Sequence, residues 1–527
     1  MAVTCLLGGP AAIAFFSGGY FTQPRLWAAV MACVLVVVAA VFAPHPLPRE
    51  APARAALAGL ALLCAWSAIS LLWAPLDGPA LEDVERTFLY LAVLIAATAL
   101  LRGRREARAL EPALALGALA VIGYGLSERL VPGVIELNRS QSSFGRLEQP
   151  LTYWNAMGAL GALGMTLSVR VAGDPTRRPA LRAAAVPAAA ALGTAVYVSF
   201  SRGALAALAA GLVALLVLSP TRAQVRAVAL CMGCAVVSAL VAGALPGVRS
   251  LEGGAGAREL DGALMLAALL VVGAAGAYGS RLIARRERDG RLSAARLRLP
   301  RRRPALAAVA VLLVAGALGA AASAERRPLS GPGVTGATPA RLSSLESNRY
   351  AYWEVALRTF VRHPLAGRGA GGFRVDWLRE REISEAADDA HSLYIETAAE
   401  LGLVGLGALL LFLGGVAAGA RRLHRAAPVG GTGPIAVLCA WAVAVALDWH
   451  WEMPGVTLVA VVCAGAVVGR GEQLHAAARL AATLAAAQLQ PGRGTAAGAD
   501  SASASPRAAS AGGGSSRLSR RSGRSTA

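Results

Sequence analysis

The chain has 527 residues, 56% of them hydrophobic and 16% charged, with a mean hydropathy of +0.54. That is too apolar for a water-soluble globular chain. The formal charge of +20 comes from arginine without lysine, gathered mainly in short loops between apolar runs, so it marks membrane topology and no nucleic-acid partner is expected.

In chain order the apolar runs fall at 3–21, 26–43, 54–73, 86–101, 109–126, 152–171 and 183–200. They continue at 203–219, 225–245, 261–283, 304–324, 397–420, 432–449 and 453–469. Most have the length needed to cross the hydrocarbon core. A spanning segment must satisfy its own backbone polar groups, and the runs lack the polar–apolar alternation of barrel strands, so helices are expected. The expected fold class is all-α: a polytopic helical membrane protein of about fourteen spans with one large extracytoplasmic loop carrying short amphipathic helices. The first run has no charged n-region or convincing cleavage site and is read as a retained span. Small residues, as in Gly158–Ala162 and Gly414–Ala417, allow close helix packing.

Arginine counts set the expected orientation. With the N-terminus inside, the short inner loops carry 25 Arg and the short outer loops 7. The segment 325–396 then falls outside, with ten Arg against ten Asp plus Glu. The reading is a multi-pass protein of the cytoplasmic membrane with both termini cytoplasmic. It divides into N-terminal helices (1–151), central helices (152–324), the large outer loop (325–396), C-terminal helices (397–469) and a basic low-complexity tail (470–527). Within that tail, 473–490 suits a surface helix, and the Ala/Ser/Gly/Arg residues beyond Pro491 suit disorder, with an Arg cluster fit for anionic lipid.

The seven cysteines all lie in apolar runs, so no disulfide framework is expected. No nucleotide-binding loop and no metal-ligand spacing stands out: the outer histidines form no His-x-x-x-His pair, and the acidic run Asp376–Asp389 reads equally as a solvated helix face. No cofactor or metal is expected.

Chemistry concentrates in a few outer positions. Arg202, in Ser199-Phe200-Ser201-Arg202-Gly203, joins two apolar runs with almost no loop. It is either an interfacial arginine reaching headgroups or an anion site, since the guanidinium fork suits phosphate oxygens. Arg349 precedes Trp353 in a stretch of helical spacing that suits an amphipathic helix on the membrane surface. It is either an exposed arginine paired with Glu346 or Glu354 or a second anion ligand, with Arg341 its rival. His391 follows Asp388-Asp389-Ala390 just before a span and is either solvent-facing or a proton acceptor oriented by a carboxylate. His363, before Pro364 and a Gly-rich turn, reads as structural, and His450 is explained by a Trp-flanked interfacial turn.

The Arg202 turn, Arg349-x-x-x-Trp353, His363-Pro364-Leu365-Ala366-Gly367-Arg368-Gly369 and His391-Ser392-(nine)-Gly402-x-x-Gly405 occur in the order of the O-antigen ligase family, which the chain resembles. Arg146-Leu147-Glu148-Gln149-Pro150 and Asn155-Ala156-Met157-Gly158 also look like an outer-loop motif of that family, which adds Arg146 and Asn155 to Arg341 as further candidate site residues. The likeness is strongest over about 195–420. It implies glycosyl transfer from a polyprenyl-diphosphate-linked glycan to a glycan or lipid-linked acceptor, among membrane lipids, without a metal and with inversion. Carried over by position, Arg202 and Arg349 would hold the diphosphate and His391 would be the general base. A transporter or flippase of the same lipid-linked sugars is the alternative; such proteins place key charges nearer the bilayer midplane.

Overall fold

A computed structural model describes residues 1–296, 337–338, 342 and 348–488. The expected span 304–324, Arg341 and the tail beyond 488 lie outside the described residues. Met1–Ala476 form one compact unit; Ala477–Ala527 are a second, whose described part is helical.

Among the described residues the chain is helical without strands. Helices α1 (Ala2–Ala14), α2 (Thr22–Phe42), α3 (Ala51–Ser70), α4 (Asp77–Leu100) and α5 (Arg104–Leu130) come first. Next are α6 (Trp154–Gly173), α7 (Pro179–Val198), α8 (Arg202–Leu218), α9 (Arg222–Ala244), α10 (Pro246–Arg249) and α11 (Ala255–Arg288). The remainder are α12 (Arg349–Arg362), α13 (Phe373–Glu380), α14 (Leu393–Ala426), α15 (Thr432–Leu447) and α16 (Pro454–Gln488). Every expected apolar run within the described residues falls on a helix. Nine helices there are long and apolar enough to cross a membrane, and α1, α8 and α15 are shorter apolar helices. The helix expected at 473–490 is the continuation of α16 to Gln488, and its residues 476–485 are exposed.

Helix α6 is the centre of the bundle, buried from Asn155 to Gly173 and enclosed by α5, α7, α8, α9 and α15. Its Ala and Gly content lets five neighbours approach at once where lipid supplies no drive between helices. On the other flank α3 packs along α14 with almost no side chain between the backbones. A Cβ on Gly59 would lie 2.2 Å from the Phe412 nitrogen, and one on Gly415 2.3 Å from that of Ala56. Only glycine fits either position.

Two short helices, α12 and α13, form their own small core from Tyr352, Val355, Ala356, Phe373, Trp377, Ala387 and Ala390. As the spacing of Tyr352, Val355, Ala356 and Thr359 dictates, α12 buries one face, while Leu357 and Val361 stay exposed on the other. This layer packs on α14 and is tied through Arg349 to Asp448, where α15 ends.

Candidate active site

The loop layer is fastened to the bundle by a backbone clasp. Helix α14 is broken at Gly402, whose φ of 63° and ψ of −161° interrupt the helix. The turn His363–Gly369 fills that break: Leu403 N–H donates to the Pro364 carbonyl at 2.8 Å, Arg368 N–H to Ala399 at 3.0 Å and Gly369 N–H to Glu400 at 2.8 Å. A Cβ on Gly402 would lie 2.3 Å from the Leu365 oxygen, and one on Gly367 2.2 Å from the Glu400 carbonyl carbon. Thus the His363–Gly369 motif and Gly402 are two halves of one joint, which agrees with the structural reading of His363. The Glu400 carboxylate completes it, accepting from the N–H groups of Gly371 (3.0 Å) and Phe373 (2.9 Å).

The clasp sets the position of His391, which lies two residues before α14 with a φ of +56°. Glu396, in the first turn of that helix, accepts the Ala390 N–H at 2.7 Å and holds the approach to the histidine. His391 Nδ1 lies 2.9 Å from the Asp389 carbonyl oxygen. A carbonyl only accepts, so Nδ1 carries the hydrogen and Nε2 keeps the lone pair. The imidazole packs against Tyr352 of α12, centroids 4.9 Å apart, and against Trp449 at 6.4 Å. Burial pushes its pKa below the ordinary histidine value; Asp448 opposes the shift and Arg349 reinforces it. His391 is therefore neutral near pH 7.

Asp448, fully buried at the foot of α15, is the hub to which distant segments converge. Its Oδ1 accepts the Tyr153 hydroxyl at 2.8 Å, and its Oδ2 accepts Asn155 Nδ2 at 2.8 Å and Arg349 Nη2 at 2.5 Å. Asn155 also donates to the Tyr153 oxygen at 2.7 Å. Burial raises the Asp448 pKa, but Arg349, His450, His391 and the Tyr153 hydroxyl together bring it below the usual carboxylate value. Burial likewise opposes the charge on Arg349, and Asp448 outweighs it, so Arg349 stays a cation. Among the described residues Arg349 pairs with Asp448, while Glu354 pairs with Arg358; Glu346 lies outside the described residues.

Aromatic rings connect the remaining candidates. Trp449 stacks on Tyr153 at 4.3 Å, and Tyr153 meets Trp154 at 5.0 Å. The guanidinium carbon of Arg146 lies 3.5 Å above the Trp154 ring, a cation–π contact at the start of α6. Arg146 is buried and also donates to the Ser142 and Ser143 carbonyls. Arg202 is the first residue of α8, in a turn capped by Ser201, whose hydroxyl accepts the Ala204 N–H at 3.2 Å. The Leu147 N–H donates to Val198 at 3.1 Å, tying the Arg146 segment to that turn, and Gly203 faces Leu447 beside Asp448. His391, Arg349 and Asn155 thus surround Asp448, Arg146 is linked to them through two rings, and Arg202 stands at the same end. Arg341 lies outside the described residues.

Sequence reasoning missed Asp448 and Tyr153. The available signal was a lone acid closing an apolar helix within a turn of alternating aromatic residues, Asp448-Trp449-His450-Trp451-Glu452. It also took His450 for an interfacial residue. His450 is fully buried, neither ring nitrogen has a hydrogen-bond partner among the described residues, and burial lowers its pKa to about 4.

Behind His391 lies a second cluster that spacing did not signal. Asp389, Glu396 and Glu452 bring carboxylate oxygens within 4.8 Å of one another, close enough to share one hard cation. They line a small cavity with Tyr20, Asp83, Arg86 and Glu400, and Arg86 forms ion pairs with Asp83 and Glu452. Burial pushes the Asp389 carboxyl up to about 7 against the pull of Arg86 and Arg374.

A family model described as O-antigen ligase matches residues 262–410, a stretch that contains α12, α13, the clasp, Arg349 and His391. No curated protein matches the chain.

Proposed function

From the match of residues 262–410 to the O-antigen ligase family we propose that the chain transfers a glycan from a polyprenyl-diphosphate carrier to an acceptor hydroxyl at the outer face of the cytoplasmic membrane. Membrane glycosyl transfer of the ligase or polymerase kind is what the family match supports. The observation that carries the finer reading is the convergence on Asp448. Arg349, Asn155 and the ring chain leading to His391 come from separate parts of the sequence and meet around one buried carboxylate.

In this reading the acceptor oxygen attacks the anomeric carbon as the bond from that carbon to the diphosphate oxygen breaks, with inversion. The acceptor proton passes to Nε2 of His391, whose lone pair is available because Nδ1–H is engaged by Asp389. The leaving polyprenyl diphosphate gains negative charge as the bond breaks, and Arg202 and Arg349 stabilise it. Fixed guanidinium charge does this work without a metal ion. Asp448 keeps Arg349 charged and in place, and it bears on the basicity of His391. A transporter of the same lipid-linked sugars is less well supported, because these groups gather at one end of the bundle rather than across its middle.

The test is reconstitution of the purified protein in lipid with a polyprenyl-diphosphate oligosaccharide and a panel of glycan and lipid-linked acceptors. Release of polyprenyl diphosphate together with acceptor glycosylation is expected. Movement of the intact lipid-linked glycan across the bilayer without bond cleavage would favour transport.

A further inference from the structure

We infer that the groove between α1, α2, α4 and α16 receives the polyprenyl tail of the glycan donor, an inference that rests on the transferase reading above. The groove is a cavity of about 510 Å³. Leu6 and Ile13 of α1, Ala28 and Leu35 of α2, Val93 of α4 and Val462 of α16 line it, and Gln23 is the one side chain in its wall with an amide or a charge. Such a wall binds hydrocarbon and offers a headgroup almost nothing.

Its position relative to the site identifies the occupant. One end is lined by Phe16, Gln23 and Pro24, beside the turn Ser17–Gly19 that joins α1 to α2. That turn is seated on the segment carrying the site: a Cβ on Gly18 would lie 2.6 Å from Met453, and Tyr20 meets Trp449 at 5.5 Å. Trp449 in turn packs on Tyr153 and His391. From Gln23 to Leu35 the groove follows α2 for about 18 Å, slightly more than half the thickness of the hydrocarbon core. A diphosphate held near His391 would therefore have its first isoprene units at the mouth of the groove and the rest running toward the bilayer centre.

A second apolar groove, of about 640 Å³, lies on the opposite side of α2 against α4 and includes Val30 and Phe88. It passes Glu85, which is paired with the buried Arg25 at 2.9 Å, and its wall contains no residue of α1 or α16. It is the natural control. Both grooves use α1 or α2, which lie outside the stretch matched by the family model, so they are features of this chain's own N-terminal helices.

The experiment uses the full chain in nanodiscs and a polyprenyl diphosphate with a photoreactive group on its tail. Label is expected on α1 and α2, suppressed by unlabelled polyprenyl diphosphate and unaffected by excess phospholipid. The groove-filling variants Ala12→Trp and Ala28→Trp should each reduce it about tenfold, the loss for displacing two or three methylene-sized contacts. Val30→Trp, in the other groove, should leave it unchanged. Label elsewhere, suppression by phospholipid alone, or equal labelling of all three variants would overturn the assignment. Labelling is read without turnover, so specific label in a protein that transfers no glycan would refute the transferase reading and leave the groove as a polyprenyl diphosphate site.

Discussion

Arg349 and Asp448 stand 99 positions apart and are joined by an ion pair of 2.5 Å, with the carboxylate fully buried and the guanidinium largely so. The pair fixes α12 of the loop layer to the foot of α15. It also ties the charge of a candidate phosphate ligand to a group that acts on the titration of His391.

Replacing Asp448 by Asn leaves a buried arginine uncompensated and should destabilise the protein by about 3 kcal/mol, the lower end for breaking a buried pair. Misplacing Arg349 should lower transfer by about 10²-fold. A purely structural role would stop there. The carboxylate also raises the His391 pKa against burial, so its loss should move the acid limb of the kcat profile to lower pH. An unshifted limb would remove Asp448 from the account of His391.

His450 gives a stability prediction with a definite sign. Its pKa falls from 6.5 in the unfolded chain to about 4 in the folded one, so protonation favours unfolding, and stability is lost as pH drops from 6.5 toward 4. The full effect is about 3 kcal/mol. Asp389, raised to about 7, acts in the opposite direction over the same window, so the difference between proteins is the quantity to measure. His450→Phe should lose less thermal stability than the parent between pH 7 and pH 4. Parallel curves would show that His450 does not titrate with unfolding.

Substitution of Arg202 by Lys keeps the charge and loses the planar fork of donors. Transfer should fall by about 10-fold or more with the fold intact, and an added effect on donor KM would place the loss in diphosphate binding. Unchanged kinetics would assign Arg202 to headgroup contact.

Transfer should survive a strong chelator. Activity lost to chelation and restored by a divalent ion would point to Asp389, Glu396 and Glu452, whose oxygens lie within 4.8 Å of one another. The arginine mechanism would then be insufficient by itself.

What the sequence revealed and what it hid follow from the range of each signal. The helices were legible because hydrocarbon imposes length and apolarity on every run, and α12 was legible as a helix from its spacing, though the face it buries, Tyr352, Val355, Ala356 and Thr359, was not. The roles of Gly367 and Gly402 in one clasp were hidden, since the two halves meet only when α14 breaks and the preceding turn folds back on it. Asp448 was hidden for a similar reason: its partners Tyr153, Asn155 and Arg349 are supplied by other segments, and nothing within five residues announces them. Arg146 and Asn155 were found by likeness, and their connection through Trp154 and Tyr153 is a fact of packing.

The central claim is that His391 takes the proton of the acceptor hydroxyl. The most direct measurement is single-turnover transfer from a polyprenyl-diphosphate oligosaccharide by His391→Ala, with donor affinity measured on the same protein. The account predicts donor affinity close to that of the parent and a rate lower by about 10²–10⁴-fold, the scale for loss of a general base. Transfer at the parental rate with the donor bound normally would contradict it.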